Sequence, residues 1–142
     1  MYSIKEFAKE LKVKVSTIRY YERVRLIVPK RSDNGYRLYG DDELKRTRYI
    51  LVMKYAAFSI DEIKQMLSMM VLPTTPDCEF KSEQLLVTKE RELTQKIARY
   101  QEVLALLKEV KPLAIDSHYE EVEPEITARI DTIYQKINEE AD

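Results

Sequence analysis

Residues Ser16-Thr17-Ile18-Arg19-Tyr20-Tyr21-Glu22-Arg23 collect side chains that touch phosphates and base edges: guanidinium forks, phenol rings and small hydroxyls. Such groups recognise by charge and hydrogen bonding, not by making bonds. Ser16 follows the β-branched Val13 and Val15 and suits the N-cap of a short helix. On a helix starting there, Ile18 points inward, while Thr17, Arg19, Tyr20 and Tyr21 face out. Lys14, just ahead, offers a further cation to a phosphate. Any small helical core with a polar outer face would carry the same local pattern, so the surrounding elements must decide. Bond-making chemistry finds no support elsewhere. The chain has no nucleophile–base pair, no Gly-rich phosphate loop and only one His, so an enzyme is not expected.

The elements that must position this stretch can be read on both sides of it. Ser3-Ile4-Lys5-Glu6 has the form of a capping box, and Ile4, Phe7, Ala8 and Leu11 follow at helical spacing. Helix, short turn and helix make a helix-turn-helix layout. Downstream, Pro29 ends helical structure near Val28. Asn34-Gly35 between short alternating runs predicts a β-hairpin with a type I′ turn, both residues at positive φ. Arg37 and Tyr39 fall on one strand face and are assigned to the phosphate backbone. Tyr36 and Leu38 fall on the other and are assigned to packing. Lys30, Arg31 and Arg37 crowd one small ribbon, which favours an anion nearby and adds Arg31 to the phosphate candidates.

Asp41 or Asp42 is placed to cap a third helix over about 42–56, with Leu44, Ile50, Leu51 and Tyr55 for the core. A second capping box, Ser59-Ile60-Asp61-Glu62, opens a fourth helix with the apolar stripe Ile60, Ile63, Leu67 and Met70. Residues 73–79, with Pro73, Pro76 and Cys78, read as a linker. Beyond it a helix over 80–111 carries Leu86, Leu93, Ile97, Tyr100, Leu104 and Leu107 at heptad-like spacing, with Glu90 interrupting the seam. One apolar seam on a long charged helix predicts pairing with a second copy; packing on the chain's own head is the alternative. Pro112 is expected to close this helix and 114–123 to be irregular. Pro124 then suits the first turn of a last helix, whose stripe Ile126, Ile130, Ile133 and Ile137 packs on the long helix.

Composition agrees with a charged, helical, two-part chain. Charged residues make up 35% and only two glycines occur. Residues 1–72 hold 15 Lys and Arg against 9 Asp and Glu, a balance of +6, and residues 73–142 hold 9 against 16, a balance of −7, giving the net −1. A basic head on an acidic arm fits a nucleic-acid module with a separate pairing or sensing segment. One Cys excludes an internal disulfide framework. With no apolar run long enough to span a bilayer and no signal peptide, a cytoplasmic location is expected.

The runs Tyr2-Ser3-Ile4-Lys5-Glu6-Phe7-Ala8, Ser16 to Glu22, Leu26-Ile27-Val28-Pro29, Asn34-Gly35-Tyr36-Arg37-Leu38-Tyr39 and Phe58 to Ile63 together resemble the MerR family of bacterial transcription regulators. The resemblance covers the first half of the chain in detail and the layout of the rest. It implies a mainly α fold: a winged helix-turn-helix head over 1–72, a dimerisation coiled-coil helix over 80–111, and a loop and short C-terminal helix over 112–142 for effector or dimer packing. The hairpin would be the wing, Ser59 at the start of the fourth helix a phosphate contact, and the coiled coil antiparallel. It further implies a homodimer bound to a dyad in a promoter spacer, acting on RNA polymerase indirectly by bending and untwisting double-stranded DNA in response to a stress or small-molecule signal. Two positions depart from the family pattern. Lys12 and Ala57 stand where the family has Gly, at a cost on the order of 1 kcal/mol if either is left-handed. The paired cysteines of metal-sensing members are absent after the long helix, and no cofactor is expected. In an antiparallel dimer, Cys78 of one chain and His118 of the other could meet as metal ligands, or Cys78 could act as a thiol sensor; both are minority readings beside a buried Cys and a solvated His. An excisionase-like architectural DNA-binding protein and a coiled-coil adaptor for other proteins are the competing readings.

Overall fold

The computed structural model of the protein describes residues 1–71, 75–116 and 119–141. They form two compact units, 1–85 and 86–142. The first unit opens with α1 (Ile4–Glu10) on the expected capping box. The Glu6 N–H donates to the Ser3 hydroxyl at 3.3 Å and the Ser3 N–H to the Glu6 carboxylate at 2.8 Å. Those bonds from Ser3 hold the Glu6 carboxyl below its ordinary range. The next helix, α2 (Val15–Arg23), has its N-cap at Lys14, two residues before the expected Ser16, with no side-chain cap. Val15 is partly buried against the core, and that packing draws it into the helix at the expense of the Ser16 cap.

Three helices of the head end in one way. Lys12, Arg25 and Ala57 are left-handed, at φ 56°, 62° and 63°. The residue after each donates its N–H five residues back: Val13 to Ala8 at 3.0 Å, Leu26 to Tyr21 at 2.9 Å, Phe58 to Met53 at 3.0 Å. These are Schellman caps, and each delivers its apolar residue to the head core. Lys12 and Ala57 therefore carry the left-handed geometry that the family pattern gives to Gly.

The hairpin pairs β1 (Lys30–Arg31) with β2 (Arg37–Leu38), Lys30 opposite Leu38 and Arg31 opposite Arg37. Its turn differs from the expected type I′, because only Gly35 has positive φ. The Gly35 N–H donates to the Ser32 carbonyl at 2.8 Å, and Ser32 and Tyr36 close the loop at 2.9 Å. This is a three-residue loop in which Gly35 forms the bulge. Tyr39 then pairs with Tyr2 through two backbone bonds of 2.7 and 2.9 Å.

Helix α3 (Asp41–Tyr55) is capped at Gly40, not at Asp41 or Asp42. The Glu43 carboxylate accepts from the Gly40 N–H at 2.7 Å. Both aspartates instead lie in the first turn, where the helix dipole favours them. Leu44 and Ile50 are buried, but Tyr55 is 95% exposed, because Phe58 fills the core at that end. Helix α4 (Ile60–Ser68) opens on the expected Ser59–Glu62 box. Ile63 and Leu67 are buried, while Met70 lies past the helix end and is exposed.

Helix α5 (Pro76–Asp116) starts inside the expected linker and runs through Pro112. Pro76 occupies the first helical position, where its missing N–H costs nothing. Pro112 forfeits one hydrogen bond near the end without stopping the last turn. Leu72 to Thr74 lie outside the described residues. Helix α6 (Tyr119–Glu140) likewise starts ahead of Pro124, so the irregular stretch expected over 114–123 is largely helical. In the second unit α6 runs antiparallel along α5. Arg99 faces Glu140 at 3.7 Å, Glu102 accepts from Lys136 at 3.1 Å, and Glu109 pairs with Arg129. Ile126 is buried and Ile133 half-buried in this contact, but Ile130 and Ile137 are exposed, so only half of the expected stripe packs. Among the described residues no helix is long and apolar enough to cross a membrane.

The left-handed caps make a stability prediction. Ala57→Gly relieves about 1–2 kcal/mol of left-handed strain and adds about 0.5–1 kcal/mol of unfolded-chain entropy cost. A net gain of roughly 0.5–1 kcal/mol is expected in urea denaturation; an unchanged or lowered midpoint would show that Ala57 is not strained.

Candidate nucleic-acid interface

Helix α2 divides into two faces. Ile18 and Tyr21 are buried in the head core, fixing the helix in rotation. The opposite face exposes Ser16, Arg19, Tyr20 and Arg23, with Thr17 half-buried beside them. Tyr21 is thus a core residue, not an outward contact: following Ile18 by three residues puts it on the inward face. Burial pushes its hydroxyl pKa up. The Arg23 guanidinium sits 5.3 Å from the centre of the Tyr20 ring, a cation–π contact that steadies both. Lys14, at the N-cap, is exposed as well.

The hairpin reverses the expected roles of its tyrosines. Tyr39 is 0% exposed and stacks on Phe7 at 4.3 Å between ring centres, whereas Tyr36 is 73% exposed. The pairing of Tyr39 with Tyr2 extends the ladder past β2 and turns Tyr39 into the core. Its hydroxyl donates to the Glu22 carboxylate, which also accepts from Arg37 Nε at 2.8 Å. Burial, and then the bond to Glu22, push the Tyr39 pKa well above its ordinary value. The bond to Glu22 raises that of Arg37 as well. Arg37 remains 39% exposed, so its free N–H groups can meet a phosphate. Arg31 is exposed and spends one N–H on the Gly35 carbonyl at 2.9 Å. Ser59 is exposed, and its hydroxyl accepts from the Glu62 N–H at 3.1 Å while its own O–H can still donate.

The structure thus gathers Arg19, Tyr20, Thr17 and Ser16 on one helix face and ties Arg37 of the hairpin to that helix. Sequence reasoning gave no separate role to Glu22 or Arg23 and assigned Tyr36 to packing. Arg23 carried a readable signal, three residues beyond Tyr20 on a helix; Tyr36 did not, because strand alternation alone cannot say which face is buried. Cys78 is half-buried, its Sγ 3.3 Å from Ser68 Oγ and 3.7 Å from Gln65 Nε2. A hydroxyl and an amide are poor company for a thiolate-held metal, and among the described residues no three or more His, Cys, Asp or Glu are grouped for one. His118, the suggested partner, lies outside the described residues.

A family model described as MerR HTH family regulatory protein matches residues 2–70. The HTH-type transcriptional regulator ZntR of Escherichia coli (strain K12) is 32% identical over 102 residues, covering 71% of this chain and 72% of its own. The chain belongs to the MerR family. Among solved structures, a MerR family transcriptional regulator from Listeria monocytogenes is 28% identical, with a TM-score of 0.65 over 90% of this chain and 96% of its own. HiNmlR, a MerR family regulator lacking the sensor domain and bound to promoter DNA, shares the fold at 18% identity, with a TM-score of 0.66 over 90% of this chain and 94% of its own. The winged helix-turn-helix head and long helix are those of a MerR-family transcription regulator, a DNA-binding protein and not an enzyme.

The buried Tyr39 hydroxyl makes a pH prediction. A tyrosine whose folded pKa is raised stabilises the fold fully below the unfolded value, near 10, and that contribution fades as pH rises beyond it. Tyr39→Phe should cost about 1.5–3 kcal/mol at neutral pH, the range for a bond to a charged group. Its loss of stability between about pH 9 and 11 should then be shallower than the parent's. A denaturation series with equal slopes for the two would count against a hydroxyl held protonated.

Proposed function

We propose that the chain is a homodimeric MerR-type regulator that reads a dyad in a promoter spacer and acts on RNA polymerase by distorting the DNA, in the bacterial cytoplasm. The observation that carries this reading is the division of α2, with its Ile18 and Tyr21 face buried and its Arg19 and Tyr20 face open beside the basic wing. Arg19, Tyr20 and Thr17 take base edges and nearby phosphates in the major groove. Arg37 and Arg31 of the wing take the backbone, with Lys14, Ser16 and Ser59 as further phosphate contacts. Tyr21 and Tyr39 serve from the core.

Self-association supports the dyad. Leu86, Leu93, Ile97, Tyr100, Leu104 and Leu107 are all exposed on the single chain. At about 100° per residue they share one stripe of α5, nearly opposite the face that Arg99, Glu102 and Glu109 turn to α6. An apolar stripe left bare by its own chain, broken only at Glu90, is what an antiparallel coiled coil with a second copy would cover. Bending and untwisting the spacer costs several kcal/mol, offset by phosphate contacts from two heads.

Selection of bound sites from a random duplex library with purified full-length protein tests the reading. A widely spaced inverted repeat is expected; enrichment of single sites or none would overturn it. On the selected site, Arg19→Ala should weaken specific binding by roughly 1–3 kcal/mol per half-site if Arg19 reads a base, or flatten the salt dependence by about one unit per head if it holds a phosphate. Unchanged affinity and slope would remove Arg19 from the interface.

A further inference from the structure

Two DNA-facing elements of the head are joined by one side chain. Glu22 lies on α2 three residues beyond Arg19, on a neighbouring part of the helix surface. Its carboxylate accepts from Arg37 Nε at 2.8 Å and from the Tyr39 hydroxyl. Glu22 is only 13% exposed on its side chain, so these bonds are partly shielded from water. Tyr39 is wholly buried and held by backbone bonds to Tyr2, so its hydroxyl is a fixed donor that orients the carboxylate. Arg37, by contrast, stands directly opposite Arg31 in the hairpin. Two like charges at that separation repel, and with nothing to hold it Arg37 would swing away.

We infer that Glu22 is a positioning residue for DNA recognition: it fixes the wing's Arg37 against the reader helix, so that base contacts from α2 and the phosphate contact from the wing fall in one register. An acidic residue inside a basic surface is otherwise a liability, since it repels the phosphates that its neighbours attract. The inference rests on the DNA-reading role of α2 proposed above. It predicts an effect of opposite sign on two kinds of binding. Removing a negative charge should strengthen or leave unchanged the sequence-independent attraction to phosphates. Losing the hold on Arg37 should weaken binding to the specific site.

The test compares the parent, Glu22→Ala and Glu22→Gln on two duplexes: the site recovered by selection and a scrambled one, each over a salt series. The Gln variant keeps a neutral acceptor for the Tyr39 hydroxyl, and so remains informative if the Ala variant fails to fold. On the specific site, affinity is expected to fall on the order of tenfold or more and the salt slope to drop by about two, the signature of one lost phosphate contact in each of the two heads. On the scrambled duplex, affinity should hold or rise. Hydroxyl-radical footprints should lose protection only at the phosphates flanking each half-site. Parallel loss on both duplexes would overturn the inference in favour of a merely structural role. A gain on both would mark Glu22 as a plain repulsive charge. Failure of the parent to prefer its selected site would instead count against the DNA-reading proposal itself.

Discussion

The head is organised around the burial of Tyr39. Its ring stacks on Phe7 of α1, its backbone pairs with Tyr2, and its hydroxyl reaches Glu22 of α2. One residue at the end of the hairpin thus locks the N-terminus, the first helix and the reader helix together. The open face of α2 is a consequence: with Ile18 and Tyr21 turned into the same core, Arg19 and Tyr20 have nowhere to point but outward. If α2 reads DNA as proposed, recognition depends on the rigidity of this interior, since the exposed side chains are long and would otherwise sample many directions.

The readings that held from sequence were those governed by local chemistry. Both Ser–Glu capping boxes close as expected, because their partners lie three residues apart and need no tertiary context. Ile18 points inward and the hairpin lies where Asn34-Gly35 places it, though with a different turn. The readings that failed were governed by competition between elements. Tyr36 and Tyr39 exchanged roles because a two-residue strand cannot tell which face meets the core until Tyr2 pairs with its end. Tyr21 went inward because packing on Ile18 outweighed its polar hydroxyl. Pro76 opens α5, where it costs no bond, and Pro112 and Pro124 sit within helices, because each removes one bond while long helices draw stability from many.

The arm follows a different logic from the head. Ion pairs between α5 and α6 set their antiparallel register, while few large side chains are sealed between them; Leu106 and Ile126 are buried there. The larger apolar surface lies elsewhere on α5 and is left open. In the proposed dimer that surface would be covered by the second copy. The arm's stability is then expected to depend on protein concentration, as for any fold that finishes its core by association.

The left-handed corners of the head have a meaning beyond strain. In a chain with only two glycines, corners that another sequence would give to glycine carry Lys12 and Arg25, both exposed. Their charges add to the positive balance of the head, and so to the long-range field that a polyanion would meet there. Under the proposed DNA-reading role, such corner charges would speed encounter, adding to the field of the arginines on α2 and the wing.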